Sequence, residues 1–379
     1  MSARTSNGPG ILTRIFGSQW FVSVLAVLIA FVIGAVLIAL SGASVVDAYY
    51  AMFRGSIIDP NAATFVRQIK PLTDSLFYSI PLIISGLGLA LGFRAGLFNI
   101  GGKGQIIVGA LAAVWVGFAV NLPPVLHTLV ALLVAIIAGG LYGGIAGVLK
   151  AKTGANEVIV TIMLNSIATL GLGYTLTQKA WQVPGSNQPV TPKVADSAAL
   201  ARLLPAPFKL HVGFIVALVA LAFFWWLIER STLGFQIRAV GANAAAARTA
   251  GISVERITAI TMVLSGAFLG LAGANEALGT IGYVSRDVAG SIGFDAITVA
   301  LLGRNKTWGT FGAGLLFGAF KAGGYTMQAK GVPIDMILIL QSVIVLLIAA
   351  PALVRWLFRL PDVRALAAQT RKGNADEHK

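Results

Sequence analysis

One polar segment, residues 230 to 256, decides the fold and reads RSTLGFQIRAVGANAAAARTAGISVER. It separates two apolar runs that are each long enough to cross a bilayer as a helix. Its arginines place it on the cytoplasmic side by the positive-inside rule. Its middle, Ala242 to Ala250, combines high helix propensity with a surface of small side chains. We therefore expect either a short helix that docks on a partner protein or a solvated loop helix.

The composition places the chain in a membrane. Hydrophobic residues make up 57% of the 379 residues, and charged residues make up only 11%. Repeated apolar runs in such a chain predict an all-α, polytopic helical membrane protein. The formal net charge of +14 fits cytoplasmic loops and tails that face anionic lipid. We therefore expect this charge to contact membrane lipid and not nucleic acid.

Residues arranged for catalysis or for metal binding are missing from the sequence. It contains no cysteine, which excludes disulfides, thiolate metal sites and cysteine nucleophiles. The three histidines, His127, His211 and His378, are far apart in the sequence and lack metal-ligand spacing. The P-loop motif GxxxxGKS/T is absent as well, so we do not expect the chain to bind ATP. We predict no catalytic residue, no metal site and no cofactor bound by this chain.

The apolar runs predict about ten crossings, close to residues 20–40, 72–92, 106–120, 126–149, 157–177, 212–228, 257–281, 288–303, 309–327 and 334–353. A polar stretch that contains Asp47 and Arg54 separates the first two crossings. The basic residues of alternate connections place both termini in the cytoplasm.

The same pattern divides the chain into regions. A cytoplasmic tail (1–19) precedes the transmembrane domain (20–354), and a second cytoplasmic tail (355–379) follows it. Within the transmembrane domain, residues 178–211 form a long extracellular connection and residues 230–256 a cytoplasmic one. The layout is compatible with two halves of opposite orientation, which is the inverted repeat of many transporters.

Glycines recur at short spacing inside several predicted spans. Examples are Gly139 and Gly143 in the fourth span and Gly266 and Gly270 in the seventh. Such spacing lets helices approach closely in lipid, where packing drives helix association. Residues 93 to 105, in contrast, are too polar and too rich in glycine for a helix interior, so we expect a break there.

Four motifs resemble hallmark segments of the ABC importer permeases for nucleosides and related simple sugars. They read FRAGLFNIGGKGQ at 93 to 105, TGANEVIVTIMLNSIA at 153 to 168, GFQIRAVGANAAAARTAGI at 234 to 252, and GFDAITVALLGRNKTWGT at 293 to 310. The motifs lie in the order of that family, and the resemblance covers most of the chain from about residue 80 to residue 350. It is closest to the longer of the two permeases in bacterial purine-nucleoside importers.

The resemblance implies the fold of the permeases for branched-chain amino acids, ribose and vitamin B12. It implies a multi-pass translocation subunit in the bacterial cell membrane, not an enzyme. The implied partners are a second, different permease subunit, ATPase subunits that bind ATP and magnesium, and an extracellular or periplasmic substrate-binding lipoprotein. The segment at 234 to 252 becomes the coupling loop that docks on the ATPase, through Gly241, Ala242, Asn243, Ala246, Ala247, Arg248 and Gly251.

Polar residues inside spans are costly in lipid and tend to face a transport pathway or the bundle interior. The candidate pathway residues are Asn99, Asn165, Phe268, Asn275, Glu276, Phe294, Asp295 and Gln341. For Asn165 and Gln341, hydrogen bonding between helices is an equally open interpretation. Glu276 and Asp295 favour a pathway or gating role, because an ion in lipid needs a partner or water. The two phenylalanines would offer faces to a nucleoside base or serve packing alone.

Three alternatives to nucleoside import stay open at this point. The first is the same machine for a simple sugar or another small polar solute. The second is an ion-coupled secondary transporter, which would need carboxylates in the middle of the membrane, and the chain has very few. The third is a membrane enzyme, for which no constellation of catalytic residues is present in the sequence.

Overall fold

A computed structural model of the chain describes residues 19–186, 188–333 and 335–349, together with Val354 and Phe358. The two predicted tails, 1–19 and 355–379, lie outside the described residues except for Gln19 and Phe358. Throughout the described ranges the regular structure is helical and includes no strand. The predicted all-α class is therefore confirmed.

The α-helices run in chain order as α1 (Gln19–Leu40), α2 (Val45–Ser56), α3 (Phe65–Arg94), α4 (Gly102–Ala119), α5 (Leu126–Thr153), α6 (Glu157–Thr175), α7 (Gly213–Arg230), α8 (Thr232–Ala242), α9 (Ala244–Thr249), α10 (Val254–Asn275), α11 (Ile292–Leu302), α12 (Thr307–Gln328) and α13 (Asp335–Ala349). A π-helical turn, Glu276–Ile281, continues α10, and a short 3-10 helix, Lys179–Trp181, follows α6.

Six of the described helical segments are long and apolar enough to cross a membrane. They are Phe65–Arg94, Gly102–Ala119, Leu126–Thr153, Glu157–Thr175, Gly213–Arg230 and Val254–Ile281. The chain is thus a multi-pass helical membrane protein. The count of ten crossings stays a prediction.

Two helices differ from the sequence-based expectation. In the polar stretch after the first span, the sequence analysis did not predict α2. This helix carries Asp47 in its first turn and Arg54 in its last, so both charges complement the helix dipole. The eighth predicted span corresponds to α11, which has 11 residues and begins only at Ile292. At 1.5 Å per residue α11 is about 16 Å long, roughly half the thickness of the hydrocarbon core.

The chain forms two compact units. One consists of Met1–Ala51 with Met327–Lys379, and the other is Met52–Thr326. In the first unit α1 packs against α13. The hydroxyl of Tyr49 donates a hydrogen bond to the carbonyl oxygen of Phe31 there.

The second unit is built around α3 and α10. Every residue of α3 from Ser79 to Gly92 is buried, which makes it a central helix. The adjoining helix α10 packs against α3, α4 and α5. The candidate sites described below all lie within this unit.

A glycine seam joins α5 to α10, formed by Gly139, Gly143, Gly266 and Gly270. A Cβ added to Gly139 would lie 2.5 Å from the carbonyl oxygen of Gly266, and one added to Gly143 would lie 2.7 Å from the carbonyl oxygen of Met262. The two backbones are therefore in direct contact, without intervening side chains. Close helix packing through glycine, as predicted from the spacing, is confirmed at this seam.

Candidate functional site

The predicted break in the FRAGLFNIGGKGQ motif is present as residues 95–101, between α3 and α4. Gly96 has φ +72°, a left-handed conformation that costs glycine little. The amide of Leu97 donates to the carbonyl oxygen of Gly92 at 3.0 Å, which closes the end of α3 as a Schellman motif. The chain then leaves the helix without leaving the bundle, because Asn99 and Gly101 are buried.

One face of α6 holds this break in place. Its polar side chains recur every fourth residue, which is one helical turn. Each accepts a hydrogen bond from a backbone amide: Glu157 Oε1 from Phe98 at 3.3 Å, Thr161 Oγ1 from Ile100 at 3.2 Å, and Asn165 Oδ1 from Gly104 at 2.8 Å. The second motif, residues 153–168, therefore supplies the hydrogen-bond partners of the first.

The amide side chains of Asn99 and Asn165 are both fully engaged at this break. Asn165 Nδ2 also donates to the carbonyl oxygen of Ile100 at 2.8 Å. Asn99 Nδ2 lies 3.0 Å from both Gln105 Oε1 and Ser265 Oγ. These two predicted pathway residues hold helices and backbone together and line neither the cavity nor the groove described below.

A cavity of about 780 Å³ opens at the end of the bundle that carries the 178–211 connection. This volume suits a small polar molecule. Four elements wall it: α3, α12, the π-helical turn and residues 196–209. The lining side chains with polar or aromatic character are Phe77, Tyr78, Asp196, Arg202, Lys209, Glu276, Thr280, Lys321 and Tyr325.

Lys321 interacts with both an aromatic ring and a carboxylate of the cavity wall. Its ammonium nitrogen lies 6.0 Å from the centre of the Tyr78 ring, within the range of a cation–π interaction. It also interacts electrostatically with Glu276 and Asp295. The rings of Tyr78 and Tyr325 are 5.5 Å apart and tilted by 37°. The cavity thus combines aromatic faces with a carboxylate and an ammonium group.

The 178–211 connection is tied to the bundle by backbone hydrogen bonds. The amide of Val194 donates to Gly282 O at 3.0 Å, and the amide of Leu200 donates to Leu278 O at 3.1 Å. The amide of Ala195 reaches Gly117 O at the far end of α4, at 2.8 Å. This segment therefore forms a wall of the cavity.

Of the eight predicted pathway residues, only Glu276 lines the cavity. Asn275 is fully buried behind it. Phe268 is buried against the rings of Phe223 and Phe224, while Phe294 is 54% exposed on α11.

The remaining two candidates lie elsewhere. Asp295 accepts a hydrogen bond from Ser291 Oγ at 2.6 Å in the first turn of α11. Gln341 is buried in α13, in the other compact unit.

Sequence reasoning missed most of the cavity wall. Lys321 lies inside the ninth predicted span, and a charge within a span is the signal that could have identified it. Tyr78 and Tyr325 carry no comparable signal, because aromatic residues near the ends of spans are ordinary interface residues.

The polar segment 230–256 forms two helices and a groove between them. The hydroxyl oxygen of Ser231 accepts a hydrogen bond from Gly234 N at 2.9 Å and begins α8; Asn243 Oδ1 accepts one from Ala246 N at 3.0 Å and begins α9. Because Asn243 caps a new helix, the single helix predicted for 242–250 is shorter, Ala244–Thr249, and a longer helix precedes it. The groove has a volume of about 560 Å³ and is lined by Thr232, Phe235, Gln236, Ala239, Ala242, Asn243, Ala246, Ala247, Ala250 and Ile252.

The predicted coupling residues fall into two groups, those that line the groove and those that shape the segment around it. Ala242, Asn243, Ala246 and Ala247 line the groove, whose largest exposed side chain is Phe235, at 59% exposure. The other three shape the segment itself. Arg248 forms an ion pair with Glu255 at 2.7 Å, Gly251 ends α9 at φ +83°, and Gly241 packs on backbone.

Gly241 connects the groove to the break. A Cβ at Gly241 would fall on the carbonyl oxygen of Arg94 and 2.9 Å from the carbonyl carbon of Ala95. The side chain of Arg94 in turn donates through Nε to the carbonyl oxygen of Asn305 at 2.7 Å. The end of α8, the end of α3 and the turn after α11 therefore meet at one point.

Comparisons with known proteins agree with this architecture. The family described as branched-chain amino acid transport system / permease component matches residues 72–349. A guanosine ABC transporter permease protein of Bacillus subtilis, NupP, is 39% identical over 89% of this chain and 95% of its own. A glucose ABC transporter permease protein of Haloferax volcanii is 35% identical over 85% of each chain. A nucleoside ABC transporter permease protein of Lactococcus lactis, NupB, is 31% identical over 92% of this chain and 94% of its own.

No solved structure gives a significant match to the chain. The family match covers the break, the cavity walls on α3 and α12, and the groove between α8 and α9. Since it extends over most of the sequence, the chain belongs to the family of branched-chain amino acid transport system permease components.

Proposed function

We propose that this permease translocates nucleosides as one subunit of an ATP-driven importer, and that the cavity at the 178–211 end lies on the substrate's route. The cavity carries the proposal. It joins the aromatic faces of Tyr78 and Tyr325 to the carboxylate of Glu276. Flat bases stack on aromatic faces, and sugar hydroxyls donate hydrogen bonds to carboxylates.

The relatives add support for nucleosides. One is a permease for guanosine and another a permease for nucleosides. A sugar is the second candidate, because the glucose permease of Haloferax volcanii is also similar over most of the chain. A carboxylate and an aromatic wall would also suit a sugar ring. Uptake measurements with labelled guanosine and labelled glucose would distinguish a nucleoside from a sugar.

The partners follow from the groove and from the lack of a P-loop motif. An ATPase subunit that binds ATP and magnesium would insert apolar side chains into the α8–α9 groove. A substrate-binding lipoprotein would dock at the opposite end, on the 178–211 connection. A second, different permease subunit would complete the membrane part. In this arrangement the groove and both chain termini face the cytoplasm.

Uptake of radiolabelled guanosine should depend on this chain, and Glu276→Gln should raise the KM for guanosine. Glutamine keeps an acceptor oxygen but loses the charge, and exchanging a charge-assisted hydrogen bond for a neutral one costs about 1–1.5 kcal/mol, which is roughly a fivefold to tenfold loss of affinity. The measurement is initial uptake in cells that lack their other nucleoside importers. Glu229→Gln, at an exposed site near the end of α7, is the matched control and should leave KM unchanged. Uptake of labelled glucose without uptake of guanosine would favour the sugar permease instead.

Single cysteines should report the orientation, since the chain contains no cysteine that would need removal. A cysteine at Ser186, in the 178–211 connection, should react with a membrane-impermeant thiol reagent added to intact cells. One at Ser231, before α8, should react only after the cells are opened. The reverse pattern would place the groove outside the cell and exclude its contact with an ATPase.

A further inference from the structure

Two buried polar side chains lie directly behind the cavity wall. Three of their atoms have no hydrogen-bond partner among the described residues. They are His211, which is 1% exposed, and Asn275, which is 0% exposed. Within the described part of the chain, His211 Nε2, Asn275 Oδ1 and Asn275 Nδ2 find no partner. Buried polar atoms in native proteins are nearly always paired, so a cluster of three calls for a functional explanation.

The His211 and Asn275 side chains both lie against Gly213, and the His211 ring also lies against Gly279. A Cβ added to Gly213 would meet both the Asn275 amide and the His211 ring, and one added to Gly279 would lie 2.6 Å from His211 Nε2. Gly279 itself lines the cavity, and so does Phe77, whose ring contacts the His211 ring edge-on with centres 5.4 Å apart. A single backbone segment without a side chain therefore separates His211 Nε2 from the cavity.

The hydrogen-bonding character of the cluster is fixed by its surroundings. Gly213 N donates to His211 Nδ1 at 3.1 Å, so Nδ1 is the acceptor and Nε2 carries the hydrogen. Burial lowers the pKa of His211 to about 4, which keeps the ring neutral at physiological pH. Together with the Asn275 amide, the cluster offers two donors and one acceptor and no charge.

The wall in front of the cluster is the π-helical turn Glu276–Ile281. Such turns are rare and occur frequently at functional sites. This turn carries both Gly279 and Glu276. A change in its hydrogen-bond pattern would move Gly279, which lies between His211 Nε2 and the cavity.

We propose that His211 and Asn275 form a subsite for a sugar hydroxyl of the transported molecule, which the π-helical turn uncovers during translocation. The proposal rests on the proposed function and extends it by naming the part of the substrate that is recognised. A hydroxyl both donates and accepts, which matches this mixed set of donors and acceptor. The neutral His211 ring and the Asn275 amide carry no charge that would balance an ion.

Discrimination between ribonucleosides and deoxyribonucleosides tests the subsite. Uptake of guanosine, 2′-deoxyguanosine and 3′-deoxyguanosine is measured in whole cells, and the ratio of their kcat/KM values is compared between variants. The wild-type transporter should prefer guanosine over at least one deoxy analogue by about tenfold or more, because a site built to bond a hydroxyl rejects the analogue that lacks it. Asn275→Leu, of similar size, should bring that ratio close to one, and His211→Leu should act in the same direction. His211→Gln keeps an N–H donor and should restore part of the preference.

Thr261→Val is the matched control. Thr261 is fully buried on the same helix, α10, and its hydroxyl also lacks a partner among the described residues, but it does not line or border the cavity. This variant should retain the wild-type ratio. The amount of each variant in the membrane is measured in parallel, and a ratio of kcat/KM values is independent of that amount.

Two results would overturn the subsite: a wild-type ratio near one, or an unchanged ratio in Asn275→Leu. An unchanged ratio with an equal loss of uptake for all three substrates would indicate a purely structural role for the cluster. If the wild type takes up no nucleoside, the proposed substrate is wrong, and the same variants are then compared on glucose and its monodeoxy analogues. Failure of the subsite and failure of the nucleoside assignment are thus separate outcomes.

Discussion

Ala246→Glu is expected to abolish uptake while the permease reaches the membrane in its normal amount. Ala246 is exposed and lines the α8–α9 groove, so its replacement puts an unpaired carboxylate where the ATPase would bury its contact. An uncompensated buried charge costs about 3 kcal/mol or more, a loss of more than roughly a hundredfold in affinity. Uptake and substrate-stimulated ATP hydrolysis of the assembled importer are the measurements.

The fold of α9 should tolerate this change. Ala246 is the third residue of a helix that Asn243 caps, and glutamate at this position favours a capping box. Ala245→Glu is the control, because Ala245 is exposed on the same helix but does not line the groove. It should retain most of the uptake. Wild-type uptake by Ala246→Glu would exclude the groove as the ATPase contact.

Gly270→Val is expected to prevent accumulation of the folded permease. A Cβ at this position would overlap the carbonyl oxygen of Ala135 and lie 2.9 Å from the Cα of Gly139. The backbone of α4 also reaches Gly270, since a Cβ on Gly109 would lie 2.5 Å from the Gly270 carbonyl oxygen. Because main-chain atoms of both α4 and α5 adjoin Gly270, a valine there would push α10 away from them. We expect this to lower the free energy of unfolding by about 3 kcal/mol.

Thermal unfolding in detergent and the amount of protein in the membrane measure this effect. Gly171→Val is the matched control, because Gly171 lies in α6 and no atom outside its own helical turn lies within 4 Å of its missing Cβ. It should accumulate as the wild type does. A stable Gly270→Val variant would mean that α5 and α10 are packed less closely than the glycine seam requires.

Most of the fold was predictable because lipid imposes a simple rule. A span must be apolar and helical, so runs such as 126–149 and 212–228 reveal α5 and α7 directly. The rule does not apply to a helix that does not cross the membrane, so the sequence analysis did not predict α2. It also fails for α11, since hydrophobicity alone does not show that residues 288–291 make turns before the helix begins.

The candidate site was predicted less completely, and the reason is distance along the chain. The cavity joins Tyr78, Glu276 and Lys321, which come from three separate helical elements, and no local pattern shows that they meet. Glu276 was identified because a carboxylate in a span stands out by itself. Asn165 stood out equally, but its partners in the break satisfy it, and a sequence does not distinguish a paired amide from a free one.

The glycine seam between α5 and α10 also constrains how the gene can vary. Any change in the first or second base of a glycine codon gives a stop codon or a residue that carries a Cβ. At Gly139 and Gly270 that atom has no room, since the opposing positions are main-chain atoms. Only third-base, synonymous changes are therefore neutral at these codons. We therefore expect selection to remove nearly every other mutation at the seam, whatever molecule the permease carries.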